Sequence, residues 1–143
     1  MFSKLIARLL LVLTSWMFAR RAGIRVDVRF FAYVYSTSLN EEVMGDASST
    51  GRIRVSMAFG FTHALGTLLH ELQHAYQWQV RWPATSAEVF GQRTWHLDDM
   101  ASACELAGMY RPDLYLSELQ AELVALDSVR NEYAWVAAIM RRL

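Results

Sequence analysis

The sequence predicts an α+β domain, and three patterns carry that prediction. Apolar residues recur with a helical period from Phe61 to Tyr76, and again from Leu116 to Met140. Between the N-terminal segment and the first of these, Ile24, Val26, Val28 and Phe30 alternate with Arg25, Asp27 and Arg29, and residues 52–59 alternate in the same way, as half-buried strands do. With 143 residues, 54% of them hydrophobic, the chain is long enough for one core and short for two, so residues 1–143 are read as one domain.

Residues 1–21 form the first helix. They have the outline of a leader, with Lys4 and Arg8 followed by an apolar run over residues 9–19. That run is shorter than the roughly 20 residues of a membrane span, and Arg20-Arg21 stands where a leader has its small-residue cleavage site. An amphipathic helix packed on the domain is expected, with membrane association through residues 5–19 as the alternative.

After Gly23 comes the first strand, and then residues 36–51, whose Ser, Thr, Asn, Asp and Gly read as a loop. Residues 52–59 form the second strand, expected to pair antiparallel with the first in a short sheet. The helix that starts at Phe61 cannot continue through Pro83. Thr85-Ser86-Ala87-Glu88 resembles a capping box opening a short helix, and residues 97–107 form another that Gly108 closes. After Arg111-Pro112-Asp113, the positions Leu116, Leu119, Leu123, Leu126, Val129, Tyr133, Val136 and Met140 mark one last helix.

Fourteen basic and fourteen acidic residues balance, which speaks against a general nucleic-acid binder. The balance is uneven along the chain: residues 1–54 carry eight basic and four acidic side chains, and the remainder is acidic to the same extent. The lone Cys104 can form neither an intrachain disulfide nor a thiolate metal cluster, so a cytoplasmic location is expected and any metal falls to His and carboxylates.

His70 and His74 offer such a site. Four residues apart, they differ by about 40° around a helix, so both imidazoles can reach one ion at about 2.0–2.1 Å. Glu71 lies beside them at about 100°, placed to act as a general base on an ion-bound water without binding the ion itself. Leu65, Leu68, Leu69, Leu72, Ala75 and Tyr76 occupy the opposite arc, so the two His do not belong to the core face.

With these flanks, the run from Thr67 to Tyr76 (TLLHELQHAY) resembles the extended zinc-binding pattern of the zincin metallopeptidases. The resemblance implies a small zincin-like domain with an N-terminal helix, a short antiparallel sheet, a metal-binding helix and a C-terminal glutamate helix. It implies Zn²⁺ as cofactor and a protein or peptide as substrate.

A catalytic zinc has three protein ligands, so one more is needed. Glu118, Glu122, Glu105, His96 and Glu88 are the candidates. Ser117-Glu118-Leu119-Gln120-Ala121-Glu122 looks like the element by which several gluzincin peptidase families supply a glutamate ligand with a second carboxylate four residues on; the chain as a whole resembles minimal gluzincins without separating these families from SprT-like peptidases. By that resemblance Glu118 is the third ligand, and Glu122, replacing the usual Asp, orients a ligating His. Tyr115 is the expected oxyanion donor, with Tyr110 and Arg111 as alternatives, and residues 52–59 are the strand expected to pair with an extended substrate. Two other readings use the same residues: a zinc-binding module without catalysis, and a membrane-associated helical protein whose His pair is accidental.

Overall fold

The computed structural model describes residues 2–81 and 85–143. The chain begins with helix α1 (Phe2–Ala22), which buries Ala7, Leu11, Thr14, Ser15 and Phe18, a set spaced at three and four residues so that it shares one face. Gly23 follows with φ +70°, a left-handed conformation that glycine adopts without strain. Five short strands come next: β1 (Asp27–Phe31), β2 (Val34–Ser36), β3 (Glu41–Val43), β4 (Gly45–Ala47) and β5 (Arg52–Ser56). The rest is helical: α2 (Phe61–Gln79), α3 (Ser86–Gly91), α4 (Leu97–Ala107), a 3₁₀ turn at Pro112–Leu114, α5 (Tyr115–Arg130) and α6 (Ala134–Arg141). The fold is therefore α+β, as the sequence predicts.

Strand order in the larger sheet is β1-β5-β4, and β2 pairs with β3 apart from it. β1 and β5 run parallel, with Asp27 opposite Arg52 and Phe31 opposite Ser56, while β4 and β2 each pair antiparallel with their neighbours. This corrects the antiparallel pairing expected of the two alternating segments. Alternation reports which side chains are buried and carries no strand direction, and the chain between the two is long enough for the crossover of roughly a dozen residues that a parallel pair needs. Residues 36–51 are likewise not a loop. Their turn-forming residues serve the reversals around 37–40 and 48–51, and β3 and β4, three residues each, lie between. Because β5 is the central strand, its backbone is paired on both sides, so the edge beside α2 belongs to β4 and not to residues 52–59.

α2 is the centre of the molecule, touching α1, β4, β5, α5 and α6. Leu65, Leu68, Leu69 and Leu72 are fully buried, each worth about 1.5–3 kcal/mol. That burial holds a helix whose N-cap, Gly60, offers no side-chain hydrogen bond. The stop expected at Pro83 lies outside the described residues; α2 ends at Gln79, with the Val80 N–H donating to the Tyr76 carbonyl. Gln79 then clasps Arg25, accepting from its N–H at 2.9 Å and donating to its carbonyl at 2.8 Å, which ties the entry of β1 to the end of α2.

Thr85 caps α3 by accepting from the Glu88 N–H at 3.1 Å, as its capping-box sequence predicts. The long last helix is instead two. Asn131 leaves helical geometry, and its amide donates to the carbonyl and carboxylate of Asp127 at 3.1 and 3.0 Å, competing for the helix's own acceptor. The apolar period survives the break because α6 returns Val136, Ala137 and Met140 to the same core.

Candidate metal centre

The most extensive helix contact in the molecule joins α2 to α5, and the polar groups of both helices meet there. His70 and His74 bring their Nε2 atoms to 3.1 Å from each other. The Glu118 carboxylate spans the pair, with Oε2 at 3.0 Å from His70 Nε2 and Oε1 at 3.0 Å from His74 Nε2. Ligand atoms of a tetrahedral zinc with bonds of about 2.0–2.1 Å stand about 3.3 Å apart. The donor set and its spacing therefore fit such an ion, with two imidazole nitrogens and one carboxylate converging on one point. A zinc ion held by these three groups alone would keep one coordination position open, as catalytic sites do.

The other nitrogen of each imidazole is also engaged. His74 Nδ1 lies 2.8 Å from Gln77 Oε1. The Gln77 amide can sit only one way round, because its Nε2 donates to the Ser117 carbonyl and to Gln120 Oε1, both at 2.9 Å. Gln77 Oε1 must therefore accept, so His74 carries a proton on Nδ1, and Nε2 is the atom it turns toward Glu118 and an ion. His70 Nδ1 faces the Glu122 carboxylate at 3.8 Å, an ion-pair distance too long for a hydrogen bond. A carboxylate or amide behind each ligating His is the usual support of a zinc site.

Gln77 and Gln120, with Gln73 donating to Gln120 at 3.1 Å, support the candidate site and were missed by the sequence reading. A signal existed: His70, Gln73, His74 and Gln77 stand at the i, i+3, i+4, i+7 spacing of a contact face, written in polar residues. That face lies across from the leucines, yet α5 covers it; Gln73, His74 and Gln77 are 6, 7 and 2% exposed.

Charge is concentrated in this contact. Burial alone would lower the His70 pKa, but the hydrogen bond to Glu118, the nearby Glu122 carboxylate and the charge of Glu71 outweigh it and push His70 up to about 10. Burial alone would raise Glu118; the hydrogen bonds from His70 and His74 win and hold it at about 2. Glu71 is raised, chiefly by burial and further by Glu118 and Asp46, against the opposing pull of the two His. A carboxyl raised in this way is a better proton acceptor near neutral pH than an ordinary one.

β4 runs close beside Glu71. A Cβ added to Gly45 would come to 2.6 Å from Thr67 Cγ2, 2.8 Å from the Arg54 carbonyl and 3.6 Å from Glu71 Cγ, so only glycine lets the strand approach the helix this closely. Asp46, next along β4, is held by Arg54, whose Nε donates to it at 2.9 Å.

Tyr110 belongs to the same environment. Its phenol is pushed up to about 12 by burial and then by the charges of Glu118, Glu71 and Glu122. Tyr115, the expected oxyanion donor, instead lies against the Cys104 thiol of α4, which raises it. Three residues before Glu118, Tyr115 is about 60° around α5 from it and turns toward α4. Arg111 pairs with Asp113 in solvent. The remaining ligand candidates are elsewhere: His96 caps α4 by accepting from the Asp98 N–H, Glu88 pairs with Arg81, and Glu105 is exposed. A cavity of about 370 Å³ lined by Phe18, Arg21, Tyr76 and Tyr133 holds none of the ligand groups.

Compared with protein-family models, curated proteins and solved structures, the chain gives no match, so its functional reading rests on these residues and their geometry.

Proposed function

We propose that the protein is a zinc-dependent metallopeptidase of zincin type. The observation that carries this reading is the convergence of His70 Nε2, His74 Nε2 and the Glu118 carboxylate at 3.0–3.1 Å, beside a buried carboxyl that is not among them. His70, His74 and Glu118 would hold Zn²⁺, which when bound would supply Lewis-acid activation of a water. Glu71 accepts the proton at its carboxylate and returns it to the leaving amine. Tyr110 takes the role expected of Tyr115 and donates its phenolic hydrogen to the developing oxyanion. β4, an edge strand held against α2 at Gly45, pairs its free backbone groups with an extended peptide. Glu122 and Gln77 hold the two imidazoles in position.

Zinc stoichiometry and peptide hydrolysis measured together test the reading. Glu71→Gln should keep one zinc per chain and lose hydrolysis by a factor of at least about 10², while Glu118→Ala should lose the metal as well. A fully active Glu71→Gln variant overturns the mechanism. A wild type that binds zinc and cleaves no peptide, with Glu71→Gln behaving identically, identifies a zinc-binding module without catalysis.

A further inference from the structure

α1 is apolar on two opposite faces. One face is sunk in the core through Ala7, Leu11 and Phe18. The other carries Phe2, Leu5, Leu9, Val12, Leu13 and Trp16, each between 41 and 76% exposed. At 100° per residue these six fall within an arc of about 100°, centred opposite the buried set, and extend over about 20 Å of helix. A helix on the surface of a soluble domain is polar on its outer side, so one whose outer side carries a continuous apolar stripe is covered there too.

The charges around the stripe select what covers it. α1 carries Lys4, Arg8, Arg20 and Arg21 and no acidic residue. Arg20 continues the stripe at its C-terminal end, its guanidinium 5.3 Å from the centre of the Trp16 ring. Exposed Arg25 and Arg29 follow directly. A second copy packed stripe to stripe would set these cations against each other in either orientation, with no carboxylate on the helix to offset them. A membrane-spanning placement would strip Ala7, Leu11 and Phe18 out of the core.

We infer that α1 lies flat in the surface of an anionic phospholipid bilayer, with Phe2, Leu5, Leu9, Val12, Leu13 and Trp16 among the acyl chains and Lys4, Arg8 and Arg20 at the lipid phosphates. A tryptophan beside an arginine suits the headgroup level, where one edge is dry and the other wet. The surface is independent of the metal centre, which lies on α2 and α5.

Flotation of the full chain with lipid vesicles tests it. The protein should float with phosphatidylcholine vesicles containing about one-third phosphatidylserine, and about 0.5 M NaCl should release most of it. Lys4→Gln and Arg8→Gln should each lower partitioning about fivefold, and Leu5→Gln with Leu9→Gln by about a hundredfold. All four positions are exposed, so helix content and zinc stoichiometry should be unchanged. Three results overturn the inference: no flotation with anionic vesicles; a dimer in lipid-free buffer that the Leu5→Gln, Leu9→Gln variant abolishes; and resistance of the bound protein to alkaline carbonate, which marks a spanning helix.

Discussion

At the scale of single residues, Gln77 shows how much of the proposed metal site lies behind its candidate ligands. Its amide is locked by the Ser117 carbonyl and Gln120, and it fixes the His74 proton on Nδ1. Gln77→Leu should therefore leave the fold in place and weaken zinc about 10- to 100-fold, measured by competition with a chelator. An unchanged zinc affinity would deny Gln77 this role. His70, Glu71 and His74 were legible in the sequence because their relation is local: a helix alone brings positions i and i+4 together. Glu118 and Glu122 were singled out through a resemblance, as a pair four residues apart, because the contact of Glu118 with His70 joins two helices and is not local. Gln77 was not, because an amide in a helix reads as surface until the partner that buries it is known, and that partner is on α5. Tyr115 was misread because closeness to Glu118 along the chain stood in for direction around α5.

At the scale of elements, β4 is the part the sequence concealed most. Three residues are too few for an alternation to register, and Gly45 and Asp46 read as turn residues. Yet Gly45 is where the strand meets Thr67 and Glu71. Gly45→Val should push β4 away from α2, lower stability by about 1–3 kcal/mol in urea denaturation, and reduce peptide turnover while zinc stays bound. Unchanged stability would mean that strand and helix separate without strain. Strand direction was hidden for a different reason, since the alternation of β1 and β5 fits either register sense. The division between α5 and α6 was hidden because the apolar period runs straight through Asn131; only the hydrogen bonds from its side chain to Asp127 mark the stop.

At the scale of the whole molecule, the α2–α5 contact makes stability depend on pH. In the metal-free protein His70 is raised from 6.5 to about 10, so its contribution is complete below about pH 6.5 and fades as pH climbs through about 10. Glu118 is lowered from 4.5 to about 2, so its contribution is complete above about pH 4.5 and fades as pH falls through about 2. The metal-free protein should thus melt highest between about pH 4.5 and 6.5, whereas with zinc the alkaline decline should disappear, because the ion takes the place of the His70 proton. Thermal melts across pH with zinc and with a chelator check this, and a flat metal-free profile from pH 6.5 to 9 would count against the His70–Glu118 pair.

His70 and Glu118 are 48 residues apart in the chain and touch only once α2 and α5 have docked. An ion held between them is a cross-link that closes a long loop, like a disulfide but reversible. It can form only after the helices have met, so it acts on the finished structure as a latch: zinc should leave the folding rate nearly unchanged and slow unfolding instead.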